Sequence, residues 1–146
     1  MVVTTALTLG VHCVVLTVGR QVDPSLIPAF DRFFSFKWPS VVYALDIVAW
    51  DFCFGLALLC AAAVFVGRGI ERTVRVGLVV AGILCLAGLL GVVTGNMQIR
   101  NIGIVGYAIV FPVVTLFMAR VFGRESEIAR DSQPDQTPAR ARTVGR

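Results

Sequence analysis

Histidine occurs once in the chain, at His12, and lysine once, at Lys37. The four cysteines, Cys13, Cys53, Cys60 and Cys85, stand apart with no CxxC pair among them. A zinc, haem or di-iron centre needs several His, Cys or clustered carboxylate ligands, so no metal and no cofactor is expected. The cysteines fall inside apolar runs and read as small apolar residues without redox duty. A glycine-rich phosphate loop, a nucleophile elbow and a kinase signature are also missing, which leaves soluble-enzyme mechanisms without support. Strand-like alternation is absent, and no internal repeat of useful period appears. Charge itself is scarce, at 15% of residues against 57% hydrophobic. A soluble domain carries about 25% charged residues. With a mean hydropathy of +0.83, the chain belongs among membrane proteins. The net charge of +4 does not point to nucleic acid, because the bases lie in loops and the tail without interleaved aromatics.

Four apolar runs approach the roughly 20 residues that a helix needs to cross a hydrocarbon core of about 30 Å. They cover residues 2–19, 40–66, 76–95 and 102–122. The first is short and holds threonines and His12; its rival reading as a secretory signal lacks a positive leading region and an A-x-A site. Unpaired amides cost several kcal/mol each in lipid, so such runs form helices or closed barrels. The expected fold is therefore all-α: a polytopic, antiparallel four-helix transmembrane bundle over residues 1–122, with a disordered cytoplasmic tail over 123–146.

Basic residues set the orientation. Arg68, Arg72 and Arg75 follow the second run, and Arg120, Arg124, Arg130, Arg140, Arg142 and Arg146 follow the fourth. The opposite side has Arg20, Arg32, Lys37 and Arg100. The richer side is expected to be cytoplasmic, which places both termini inside. Arginine in place of lysine, with abundant Ala, Val and Gly, is what a GC-rich bacterial genome writes, so the expected location is a bacterial inner membrane. In the first outer loop Phe30, Phe33, Phe34 and Trp38 recur at helical spacing between Asp31, Arg32, Ser35 and Lys37. That spacing predicts a short helix lying in the membrane interface, closed by Pro39, either as an aromatic belt or as a lid.

The second run poses the main problem, because VVYALDIVAWDFCFGLALL carries Asp46 and Asp51. Its apolar side chains, about a dozen, each contribute roughly −0.3 to −0.6 kcal/mol to insertion, whereas each mid-span aspartate costs roughly +2.5 to +3.5. The sums nearly cancel. The acids are tolerable if they face protein or water, or carry a proton. In an unbroken α-helix they diverge by about 140°, with Tyr43, Asp46 and Trp50 on one face and Ile47, Asp51 and Phe54 on another, which disfavours an aspartic dyad. The expected partner is the polar connection at residues 95–103, where Arg100 is the one formal charge. Arg100 is expected beside Asp46 or Asp51, with Tyr43, Trp50, Asn96, Asn101 and Tyr107 completing a cluster. Such a pair fixes helix register or marks a proton, ion or substrate site. His12 is expected as a polar contact between helices, with a proton relay as the sharper alternative.

Small residues Ala87, Gly91 and Gly95 recur every fourth position in the third run, a GxxxG match that predicts close helix packing. Pro112 predicts a kink in the fourth. The stretches AWDFCFG (49–55) and TGNMQIRNIGIVGYAIVFP (94–112) resemble those of an uncharacterised group of bacterial multi-span membrane proteins. The resemblance implies an inner-membrane location and no activity. Three function classes follow: a structural or accessory membrane protein, a proton- or ion-coupled carrier acting as a homo-oligomer, and an intramembrane enzyme on a lipid or isoprenoid-like substrate with Asp51 or Asp46 as general acid. The lipid bilayer is the expected partner in all three.

Overall fold

The computed structural model describes residues 1–131. It is all-helical, without strands among those residues, and four of its helices are long and apolar enough to cross a membrane. They cover Val2–Gln21, Val41–Ala62, Ile70–Thr94 and Met97–Arg124. A 3₁₀ turn at Pro24–Leu26 and a short helix at Phe30–Phe34 fill the first connection. Residues 132–146 of the expected tail lie outside the described residues. Up to Asp131 the chain is helical, past the expected end at 122, as Arg, Glu and Ala after Gly123 are good helix formers.

Capping residues explain the other boundaries. Ser40 starts the second long helix: its hydroxyl accepts from the Tyr43 N–H at 3.2 Å and donates to the Ser35 carbonyl. Replacing Ser40 with alanine is expected to cost about 1 kcal/mol, read as a lower unfolding midpoint in detergent. The same helix ends at Ala62, although the apolar run continues to Val66. There the chain leaves through tight turn bonds such as Val64 N–H to the Ala61 carbonyl. The Gly67 N–H donates to Glu71 Oε2 at 2.9 Å, and Gly69 takes φ +65°. That turn lets the third helix begin six residues earlier than its apolar core, at Ile70 instead of 76, so Arg72 and Arg75 ride on helical backbone.

The connection expected at 95–103 is largely helix. Gly95 adopts φ +69° as the C-terminal cap of the third helix, a conformation open to glycine. Asn96 immediately caps the next by accepting from the Gln98 N–H at 3.0 Å. Two adjacent caps leave almost no loop. Arg100 therefore projects from a regular helix, which fixes its direction in a way a loop would not.

The third long helix is the centre of the packing. Val74, Leu78, Ala81 and Cys85 on it have essentially no exposed surface, and they meet Phe54, Leu58 and Ala62 of the second helix and Val114 and Val121 of the fourth. The first long helix lies outside this trio and buries only Thr4 and Val11. Its remaining apolar side chains, among them Val2, Val3, Leu9 and Leu16, are exposed, as are Val93, Leu116 and Ile83 elsewhere. An apolar surface of that extent suits lipid and not water.

Candidate functional site

Missing side chains bring the buried acid and the buried arginine together. The third helix presents Gly82, Gly88 and Gly91 to its neighbours. A Cβ on Gly82 would meet the Gly55 carbonyl at 2.9 Å, and one on Gly88 would meet Gly103 Cα at 2.9 Å. On the fourth helix, a Cβ at Gly106 would stand 2.7 Å from the Ala81 carbonyl. The helices thus touch backbone to backbone, which draws the second and fourth against the third from two sides. The contacts differ from the expected every-fourth-residue stripe. Gly95 is a cap and Ala87 is only half-buried, so the interface uses Ala81, Gly82, Cys85, Gly88 and Gly91 instead.

Asp51 lies above Gly103, where a Cβ would come within 2.5 Å of Asp51 Oδ1. Its side chain is fully buried, and Arg100 is 5% exposed. Arg100 Nε approaches Asp51 Oδ2 at 3.4 Å, the only ion pair among the described residues. The approach lacks hydrogen-bond alignment, and both Asp51 oxygens, Asp46 Oδ1 and Arg100 Nε have no hydrogen-bond partner. Arg100 Nη1–H donates to the Tyr43 hydroxyl at 3.1 Å, and the guanidinium carbon is 5.1 Å from the Tyr43 ring centre. One guanidinium thus bridges Tyr43 and Asp51.

That bridge departs from the face assignment of an unbroken α-helix, which separates Tyr43 from Asp51. The backbone from Val48 to Phe54 is π-helical. A π turn takes more residues per turn and rotates each successive side chain less, so Asp51 swings back toward the face that carries Tyr43 and Asp46. The divergence of about 140° belongs to an α-helix and does not hold here. Asp46 lies half-buried in the α-helical turn just before the π segment. His12 of the first helix donates from Nδ1 to the Thr8 carbonyl at 2.8 Å and packs against the Phe36 ring. The guanidinium thus lies against Asp51 and Tyr43, while the imidazole is held by its own helix and by Phe36.

A second π stretch, Gly106–Val110, precedes Phe111 and Pro112. Proline has no N–H to complete the α ladder, and the backbone widens just ahead of it. The two irregular stretches carry the aromatics that join their helices: Trp50 lies 5.2 Å from Tyr107, and Phe54 meets Phe111 edge-on at 5.0 Å. Trp50 and Phe54 also wall a half-open cavity of about 230 Å³, lined on its other side by Thr4, Thr5 and Thr8 of the first helix.

Of the residues expected in the cluster, Tyr43, Asp51 and Arg100 are joined through the guanidinium, Asp46 is half-buried on the same helix, and the rings of Trp50 and Tyr107 pack at a tilt. Asn96 and Asn101 stand apart. Asn96 is a helix cap, and the exposed Asn101 amide donates to Gln98 Oε1 at 3.1 Å. Gly103, the seat of Asp51, reads in the sequence, with Gly106, as a small packing residue at the start of the fourth run and carries no signal of a site. The π turn at Val48–Phe54 likewise has no proline to mark it. Compared with known proteins, the chain matches no family model, no curated protein and no solved structure, so the reading of this cluster stands on its geometry.

Proposed function

We propose that the chain is a multi-pass integral membrane protein of structural or accessory duty, in which the Asp51–Arg100–Tyr43 cluster locks the second long helix to the fourth. The observation that carries this is the closure of Asp51: it has no exposed surface, and Gly103 and Arg100 cover it. The cavity beside Trp50 and the two grooves near Trp38 are lined by other residues. A buried pair of this kind stabilises little by itself but penalises every misregistered packing that would separate its charges.

In this proposal the four helices cross the membrane antiparallel, with both termini in the cytoplasm of a bacterial cell and the short helix at Phe30–Phe34 in the outer interface. Withdrawing Arg100 into the cluster removes a base from the outer side, and that sharpens the arginine asymmetry on which the orientation rests. Reporter fusions after residue 131 and within residues 22–40 check it: the first should report a cytoplasmic location and the second an external one.

A proton- or ion-coupled carrier, working as a homo-oligomer, is the second reading. It is favoured by the buried oxygens of Asp46 and Asp51 that lack hydrogen bonds and by the π turn that holds Asp51, since π turns recur at functional sites. An enzyme with an aspartate as general acid draws less support, because the aromatic-walled cavity touches Trp50 and neither acid. Vesicles loaded with a pH-sensitive dye separate the first two. The structural proposal expects the wild type and Asp51→Asn to dissipate an imposed pH gradient no faster than empty vesicles. Gradient loss that needs the wild-type carboxylate would establish the carrier instead.

A further inference from the structure

We propose that the connection between the first two long helices holds one anionic phospholipid, its phosphodiester on Arg32 and Lys37 and a chain running down the second helix past Val41 and Ala44. Two adjoining grooves share Arg32, Trp38 and Pro39. The smaller, about 320 Å³, is the more polar of the two and adds Asp31, Ser35 and Lys37. The larger, about 580 Å³, continues through Ser40 to Val41 and Ala44 in the first turn of the second long helix. Beyond it the exposed Val41 and Leu45 extend an apolar path along the helix surface. A cationic cup that opens onto an apolar track matches a molecule with a charged head and a hydrocarbon chain, and a soluble phosphate compound would use only the cup.

Charge selects the lipid class. Arg32 and Lys37 are exposed and form no ion pair with Asp31 or any other described acid. Two bases and one acid leave the cup at +1, complementary to a single phosphodiester such as that of phosphatidylglycerol, whose hydroxyls Asp31 and Ser35 are placed to receive. Trp38 lies at the junction of the two grooves, and tryptophan is a residue that favours the membrane interface. The inference rests on the multi-pass reading of the chain, but not on which leaflet faces this loop.

Trp38 gives a direct readout, because Trp50 is the one other tryptophan. In a Trp50→Phe background, checked for a cooperative thermal transition, the protein is reconstituted into phosphatidylcholine bilayers containing a brominated lipid, which quenches tryptophan on contact. Brominated phosphatidylglycerol is expected to bind beside Trp38 about fivefold more tightly than brominated phosphatidylcholine, the effect of one net charge at a membrane surface. Asp31→Asn should raise that preference by about another fivefold, and Arg32→Gln with Lys37→Gln should abolish it. Equal quenching by all lipids overturns the site. Phosphatidylethanolamine preferred as strongly as phosphatidylglycerol overturns the anionic assignment, and release of quenching by dissolved glycerol phosphate overturns the lipid in favour of a soluble ligand. Failure of reconstitution into any bilayer would instead count against the multi-pass reading.

Discussion

Replacing Arg100 with alanine is expected to destabilise the protein by about 3–5 kcal/mol, the cost of leaving a buried carboxylate without its counter-charge. Asp51 has no solvent to turn to, since its surface is wholly covered, and no hydrogen bond satisfies either oxygen. The guanidinium at 3.4 Å is therefore its main compensation. Asp51→Asn should cost less, because a neutral amide replaces the charge in the same space and Arg100 keeps its bond to Tyr43 at 3.1 Å. The double variant Asp51→Leu with Arg100→Met should recover most of the loss, as apolar groups of similar volume often replace a buried ion pair at no net cost. Denaturant titration in a fixed detergent measures all three, and the double-variant cycle gives the coupling between the pair. Arg100→Ala unfolding at the wild-type midpoint would show that the charges are not compensating each other. A double variant as unstable as Arg100→Ala would move the cost from charge to packing.

The four apolar helices were legible because composition and run length report directly on burial in lipid, and neither depends on how the helices meet. That Arg100 would approach one of the two acids was legible for a related reason, since an acid and a base isolated in apolar surroundings have few other places to go, but which acid was not. What escaped the sequence was geometry. Gly95 and Asn96 place two caps side by side, so Gln98, Arg100 and Asn101 look like a polar loop in a hydropathy profile and are in fact the opening turns of a helix. The π turn at Val48–Phe54 contains no proline, and no local residue announces it. It moved Asp51 to the side of Tyr43, a rearrangement that α-helical periodicity cannot anticipate. Pro112, by contrast, did mark the second irregular stretch, at Gly106–Val110, because a missing N–H is a local fact. The amides Asn96 and Asn101 show the opposite error: proximity in sequence to Arg100 did not carry them inward, since one is occupied as a cap and the other faces out.

The same glycine-to-alanine change should have opposite effects along this chain, and the contrast isolates the backbone contact on which the buried pair rests. Alanine raises helix propensity at any helical glycine by roughly 0.5–1 kcal/mol. At Gly10, where a Cβ would meet nothing within 4 Å, Gly10→Ala is expected to stabilise by about that amount. At Gly88 the new methyl would stand 2.9 Å from Gly103 Cα, and at Gly103 it would stand 3.3 Å from the Cys85 carbonyl and closer still to Asp51 Oδ1. Backbone atoms cannot rotate away as a flexible side chain can, so the helices themselves must separate. Overpacking of this kind costs about 1–3 kcal/mol and outweighs the gain in propensity. Gly88→Ala and Gly103→Ala should therefore both lower the unfolding midpoint that Gly10→Ala raises. Gly103→Ala has a further consequence, because the carboxylate it displaces is the one Arg100 compensates. Combined with Arg100→Ala it should cost less than the sum of the two single changes, whereas Gly88→Ala, whose methyl would meet the Arg100 backbone carbonyl at 3.2 Å but neither charged group, should come closer to adding. If Gly103→Ala and Arg100→Ala proved strictly additive, the seat of Asp51 and its counter-charge would be independent, and the helix junction would be held by packing alone.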